Sequence, residues 1–251
     1  MPNSIIKKDY TQLLQYFIII TMNEKNSIVS YWRLRQLIGL LGILLAFLSV
    51  VIGLFGGNDN PAHWWSSISA TYYSNAGPVM IGLLVCVGMF LITYDAYSIL
   101  DSIVSTLSGT AAVAIAFFPC NLEALAGSRV GIFHLPMENS QTIHSIAAVT
   151  FFVSLAVMSL FLFTKTAGTF TRTKKIRNVI YKICGGTIIA ALIADGILTG
   201  LYANNILGNG KGMYAYEYTA WGMGLEAVML AAFGISWLTK GGLIKPDKNT
   251  N

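Results

Sequence analysis

The chain has 251 residues, 55% of them hydrophobic and only 11% charged, with a mean hydropathy of +0.62 and a net charge of +5. A soluble domain carries about twice that charge fraction, and several apolar runs here reach the roughly 20 residues that a helix needs to cross a hydrocarbon core. This excludes an ordinary soluble fold, and because the runs are continuous rather than alternating it also argues against a β-barrel.

At the N-terminus, Tyr10–Thr21 holds an apolar stretch, Leu13-Leu14 and Phe17–Ile20, that is too short to span and lacks the small-residue cleavage site of a secretory signal. Two accounts fit it: a segment lying in the membrane interface, or an extension upstream of a start at Met22. Residues 1–31 are assigned to this N-terminal segment, 32–241 to one transmembrane domain, and 242–251 to a polar tail expected to be disordered.

Six spans are predicted, at Leu37–Phe55, Val79–Tyr97, Ser102–Phe118, Thr142–Thr164, Val179–Tyr202 and Tyr218–Leu238. The expected fold class is an all-α transmembrane bundle of six helices. Gly56-Gly57 and Asn58–Pro61 close the first span, Pro78 opens the second, Pro119 stops the third and Gly241-Gly242 follow the last. A short link around Asp101 makes the second and third an antiparallel hairpin, with Asp101 suited to the N-cap of the third.

Fourteen of the sixteen Lys and Arg residues fall on one side of this scheme. Lys7, Lys8, Lys25, Arg33 and Arg35 precede the first span. Lys165, Arg172, Lys174, Lys175, Arg177 and Lys182 lie between the fourth and fifth or just inside the fifth, and Lys240, Lys245 and Lys248 follow the sixth. Only Arg129 and Lys211 are on the other side. The positive-inside rule then places both termini in the cytoplasm, at the cell's inner (plasma) membrane, with loops 56–78, 119–141 and 203–217 outside. The positive charge is a topological signal with some attraction to anionic lipid, and no nucleic-acid binding is read into it.

Cys86, Cys120 and Cys184 are scattered with no C-x-x-C spacing, so neither a disulfide framework nor a thiolate metal site is expected. Small apolar packing accounts for them. Charged groups at bilayer depth are costly, and normally face the bundle interior and a partner. His144 and Asp195 fall in the outer third, Glu226 near mid-depth and Asp95 about one turn from the cytoplasm. His144 and Asp195, with Ser67, Ser69, Tyr72 and Tyr73 of the loop after the first span, make a candidate outward-facing polar pocket; Glu226 joins them as a ligand-binding candidate. Asp95 and Asp101, beside Tyr94 and Tyr97, make a candidate inner polar cluster.

Plainer accounts stand beside these. Trp64, Trp65, Tyr72 and Tyr73 also suit an interfacial aromatic belt, His144 a hydrogen bond to a neighbouring helix, and the inner carboxylates salt bridges to basic loops. His63, His134 and His144 all fall on the outer side, which raises a zinc-dependent lipid hydrolase. Hydrolases of the ceramidase and progestin-receptor-like superfamily use a paired H-x-x-x-H on a late helix, whereas His144 is followed by Ser145-Ile146-Ala147-Ala148 and the last helix offers Glu226 alone. Neither a metal site nor a cofactor is expected. Gly196-x-x-x-Gly200, Gly185-Gly186, Gly222 and Gly224 are expected to let helix backbones approach, and Ser154 and Ser159 to bond across helices.

The segments Ser67-Ile-Ser-Ala-Thr-Tyr-Tyr-Ser74, Tyr94-Asp-Ala-Tyr97 with Asp101, His144-Ser-Ile-Ala-Ala148 and Leu225-Glu-Ala through Phe233-Gly-Ile-Ser-Trp-Leu-Thr-Lys-Gly241 resemble a family of uncharacterised bacterial multi-pass membrane proteins. The resemblance covers about Trp32 to Gly241. Members tend to carry a basic residue and an Asp before the second helix, where this chain has Asn75-Ala76-Gly77. The resemblance implies the topology and the place of a site, and no reaction. The expected function is that of a non-enzymatic integral membrane protein binding a lipid or small molecule in the outer pocket, with membrane lipids as its partners. A lipid-directed metal-dependent hydrolase or transferase, and a small transporter or channel subunit using Asp195 and Glu226, are the alternatives.

Overall fold

The computed structural model describes residues 31–94, 98–165, 171–208 and 210–244. The N-terminal segment, the tail beyond Ile244, Asp95 and Tyr97 lie outside the described residues. The chain is mostly helical: α1 Tyr31–Phe55, α2 Gly77–Ile92, α3 Ile99–Phe117, α4 Met137–Val157, α5 Arg172–Ala203 and α6 Trp221–Lys240. All except α2 are long and apolar enough to cross a membrane; α2 is apolar but has only 16 residues. Among the described residues, strand is limited to a two-residue antiparallel pair, β1 Arg129–Val130 with β2 Leu135–Pro136.

Local chemistry moves several predicted boundaries. The fifth helix starts at Arg172 instead of Val179, because the Thr171 side chain caps it by accepting from Lys174 N–H at 3.1 Å. The sixth starts at Trp221 instead of Tyr218, since Gly212–Tyr218 forms a 3-10 turn. Asp101 is not the N-cap of α3: Ser98 is, accepting from Asp101 N–H. The second helix stops at Ile92, where Thr93 Oγ1 donates back to Met89 O at 2.9 Å. At the end of α4 a π-turn, Met158–Leu162, closes with Phe163 N–H donating to Met158 O.

Small residues bring the helices together, and of those expected Gly185 and Ser159 do so. A Cβ on Gly88 would meet Gly109 O at 2.8 Å, one on Gly109 would meet Gly88 O at 2.4 Å, and one on Gly39 would meet Gly234 O at 2.8 Å. These contacts lock α2 to α3 and α1 to α6. Gly185 lies against Leu160 and Ala156 O, joining α5 to the lower part of α4, whereas Gly186, Gly196, Gly200 and Gly224 have nothing within 4 Å of a built Cβ. The Gly196-x-x-x-Gly200 expectation is therefore corrected: that face is open. Ser159 Oγ and Ser236 Oγ are 2.8 Å apart and buried, tying α4 to α6. Phe151, Phe233, Trp237 and Tyr181 are at most 1% exposed and fill the core.

Candidate functional site

The loops after α1, α3 and α5 meet at one end of the bundle, the upper end. Tyr73 Oη donates to Cys120 O at 2.7 Å, Glu123 N–H donates to Glu217 Oε2 at 2.9 Å, and Ser66 O packs under Gly222. The first loop is built of short 3-10 turns, Gly57–Asp59, Trp64–Ser66 and Ser69–Tyr73, and is held down by Trp64, whose ring lies on Gly53.

Beneath the loops is a cavity of about 400 Å³, within the size range of small-molecule sites. From α4 it is lined by Gln141, His144, Ser145, Ala148 and Phe152, whose three- and four-residue spacing places them on one helix face. Leu192, Asp195, Gly196 and Thr199 come from α5, and Gly222, Glu226 and Met229 from α6. The loops add Ser66, Ser67, Ser69, Cys120, Asn121, Tyr216 and Glu217.

Each polar group has a defined setting. Ser69 N–H donates to Glu226 Oε2 at 2.9 Å and its hydroxyl lies 3.3 Å from both carboxylate oxygens, so the first loop is anchored on α6. Tyr216 Oη donates to Asp195 Oδ1 at 2.8 Å. His144 Nδ1 lies 2.8 Å from Phe118 O; a carbonyl only accepts, so Nδ1 carries the proton. Gln141 bridges by accepting from Asn121 N–H at 2.7 Å and donating to Ser145 Oγ at 2.9 Å. Glu217 is 8% exposed; Oε2 accepts from Glu123 N–H while Oε1 has no hydrogen-bond partner. Burial pushes the Glu217 carboxyl up to about 7, with the Glu123 charge adding to the rise and the bond from Glu123 N–H opposing it. Burial and the Asp195 charge likewise raise the Tyr216 phenol, and burial raises the Cys120 thiol.

Of the residues singled out from the sequence, Ser67, Ser69, His144, Asp195 and Glu226 come together on this cavity. Glu226 sits in the upper part of α6, which begins at Trp221. Tyr72 and Tyr73 do not line it: Tyr72 packs on the core and stacks edge-on to Tyr73, which bonds Cys120 O. Asp101 is far below, buried and paired with Lys165 Nζ at 2.5 Å. Nearby at that end, Arg35 Nε donates to Tyr94 Oη at 3.1 Å. Tyr216, Glu217 and Gln141 were not anticipated; the acid set among aromatics in Tyr214-Ala-Tyr-Glu-Tyr218 was the available signal.

Among the described residues no three His, Cys, Asp or Glu side chains come near enough to share a metal ion. His63 lies with its ring 4.1 Å from that of Tyr218, and His134 is exposed in the β1–β2 turn, so the three histidines do not converge. The cavity opens sideways. Ser145 and Val149 of α4 and Gly196 and Thr199 of α5 both line it and are exposed, so it reaches the surface between these two helices.

Comparison with family models, curated proteins and solved structures finds no match to this chain. The five long apolar helices make it a candidate multi-pass membrane protein.

Proposed function

We propose that this chain is a six-span protein of the inner (plasma) membrane, with both termini cytoplasmic, that holds a lipid or small molecule in an outward-facing cavity. The supporting observation is the meeting of His144, Asp195, Glu217 and Glu226 in one space. Ionisable groups at such positions are costly, and their concentration marks a binding site by default. In this reading α2 is the sixth span, its 16 residues giving about 24 Å of helix, with Ser69–Tyr73 leading into it. The 32 residues of α5 give about 48 Å, more than a hydrocarbon core needs, and its basic first turns stand on the cytoplasmic side. Kinship with the bacterial membrane family is part of the same proposal, resting on the Ser67–Ser74 and Leu225–Gly241 segments.

Phe151, Phe233 and Trp237, packed below the cavity, favour a binding site closed towards the cytoplasm over a channel. The separated histidines leave the metal-dependent hydrolase without support. The test uses protein purified from its native membrane and mass spectrometry of the molecules that come with it. Ala148→Trp, which fills the cavity, is expected to lower one species at least about ten-fold, a change of about 1.4 kcal/mol or more. Ile146→Trp, on the exposed face of α4, serves as the control. Identical profiles for the wild type and both variants refute a ligand in this cavity.

A further inference from the structure

The lower end of the bundle gathers positive charge from several segments. Arg35 of α1 and Arg177 of α5 are buried, and Lys165, just past α4, is paired with Asp101. Lys174, in the first turn of α5, donates to Phe163 O at 2.9 Å. Lys240, the last residue of α6, holds its Nζ 5.2 Å from the centre of the Phe163 ring, so two ammonium groups stand on one residue. The Arg35 guanidinium lies 4.2 Å over the Tyr31 ring, and the charges of Arg35, Lys174, Arg177 and Asp101 all reach Lys240.

The acids are too few to balance this. Between residues 31 and 244, Asp59, Glu123, Glu138, Asp195, Glu217 and Glu226 belong to the upper half, which leaves Asp95 and Asp101. Asp101 is taken by Lys165, and even with Asp95 counted wholly to this end, Arg35, Lys174, Arg177 and Lys240 keep an excess of three positive charges. The rest of the chain brings three acids with five lysines, which adds to the excess. Each of these cations has partners within the protein; the excess is one of charge, and it is costly at the foot of a span.

An anion supplied by the membrane offsets it. Lys174 and Lys240 are partly exposed where spans begin and end, the depth of phospholipid phosphates, and basic pockets between helices at that depth bind anionic headgroups. The surface above them suits acyl chains: Lys175, Val179 and Ile183 are exposed at four-residue spacing on one face of α5, a cation below two apolar side chains. A soluble phosphate would use the cations and leave that strip idle. We propose that an anionic phospholipid is seated here, its phosphate held by Lys174 and Lys240 and its chains lying along Val179 and Ile183, with Arg35 and Arg177 fixed behind. The seat is at the opposite end from the cavity and does not depend on what the cavity binds; it rests on the chain being embedded in a membrane.

The experiment counts lipids bound to the full chain in maltoside detergent by native mass spectrometry. The probes are dioleoylphosphatidylglycerol, dioleoylphosphatidylcholine, which has the same chains and a neutral head, and glycerophosphate, which has no chains. One phosphatidylglycerol per chain is expected to bind about ten-fold more tightly than phosphatidylcholine. Lys174→Gln and Lys240→Gln should each weaken it about five-fold, while Lys240→Arg, and Lys211→Gln at the other end of the bundle, should change it less than about two-fold. Lys175→Gln, at an exposed position that the fold tolerates, should lose about two-fold or more. Equal binding of the two lipids, or an equal loss in Lys211→Gln, overturns the seat. Glycerophosphate binding as tightly as phosphatidylglycerol overturns the lipid source and leaves a soluble phosphate. If neither lipid binds to a chain that only detergent releases from its membrane, the seat is overturned and the embedding stands; release by alkaline carbonate alone overturns the embedding and the seat with it.

Discussion

The bond between Glu226 and the Ser69 loop is the part of the site most open to a quantitative test. In Glu226→Leu, Ser69 N–H loses the acceptor it has at 2.9 Å and its hydroxyl loses both oxygens at 3.3 Å. The hydroxyl can rotate to another acceptor, but the amide cannot. Stranding one such amide costs about 1–3 kcal/mol, and a central value of about 2 kcal/mol makes local opening of the loop roughly 30-fold more frequent. Hydrogen exchange on the protein in lipid nanodiscs should show residues 66–74 exchanging about 10- to 100-fold faster, with Ala111–Ala116 of α3 unchanged. Glu226→Gln keeps a carbonyl acceptor and should lose less than about five-fold; Ser69→Ala keeps the amide bond and should lose about as little. Unchanged exchange in Glu226→Leu would refute the carboxylate as the anchor, and equal acceleration in α3 would mean that the substitution disturbs the whole bundle.

Three other outcomes are expected. Because burial raises Glu217 from 4.5 to about 7, the folded chain holds this proton more tightly than the unfolded chain, so stability should fall as pH rises through that window. Thermal unfolding between pH 5 and 8 should show the fall in wild type and lose that component in Glu217→Gln; an identical slope in both contradicts it. An impermeant thiol reagent on intact cells, in a background without native cysteines, should label Asn58→Cys and Glu138→Cys and spare Arg172→Cys, and the reverse pattern inverts the proposed topology. For the buried pair Ser159 and Ser236, a double-alanine cycle should give a coupling of about 0.6 kcal/mol, and zero coupling removes the bond from the account of how α4 meets α6.

Much of the fold was legible because each of the six helices is built on an apolar run, and punctuation at Pro78 and Pro119 falls at the start of α2 and just after α3. Lengths were less legible, since a basic turn such as Arg172–Arg177 extends a helix beyond its apolar part and only the cap at Thr171 marks the start. The site was partly legible: His144, Asp195 and Glu226 stand out as ionisable groups inside apolar runs, whereas the start of α6 at Trp221 instead of Tyr218 does not. Glu217 was invisible because its burial comes from three loops folding over one another, which no periodicity records. The glycine pairs at Gly88/Gly109 and Gly39/Gly234 join different helices, whereas spacing within one helix pointed to Gly196 and Gly200, where the bundle is open.

The π-turn at the foot of α4 separates two jobs of one helix. Each added residue rotates the remainder of a helix by about 100°, so Met158–Leu162 sets the phase of the lower end independently of the upper. Below it, Phe163 packs edge-on against Tyr181 and Trp237, a fixed aromatic footing. Above it, His144, Ala148 and Phe152 present one face to the cavity. One helix therefore serves two neighbourhoods, its lower end turned onto the aromatic footing while its upper end keeps His144 on the space that it borders.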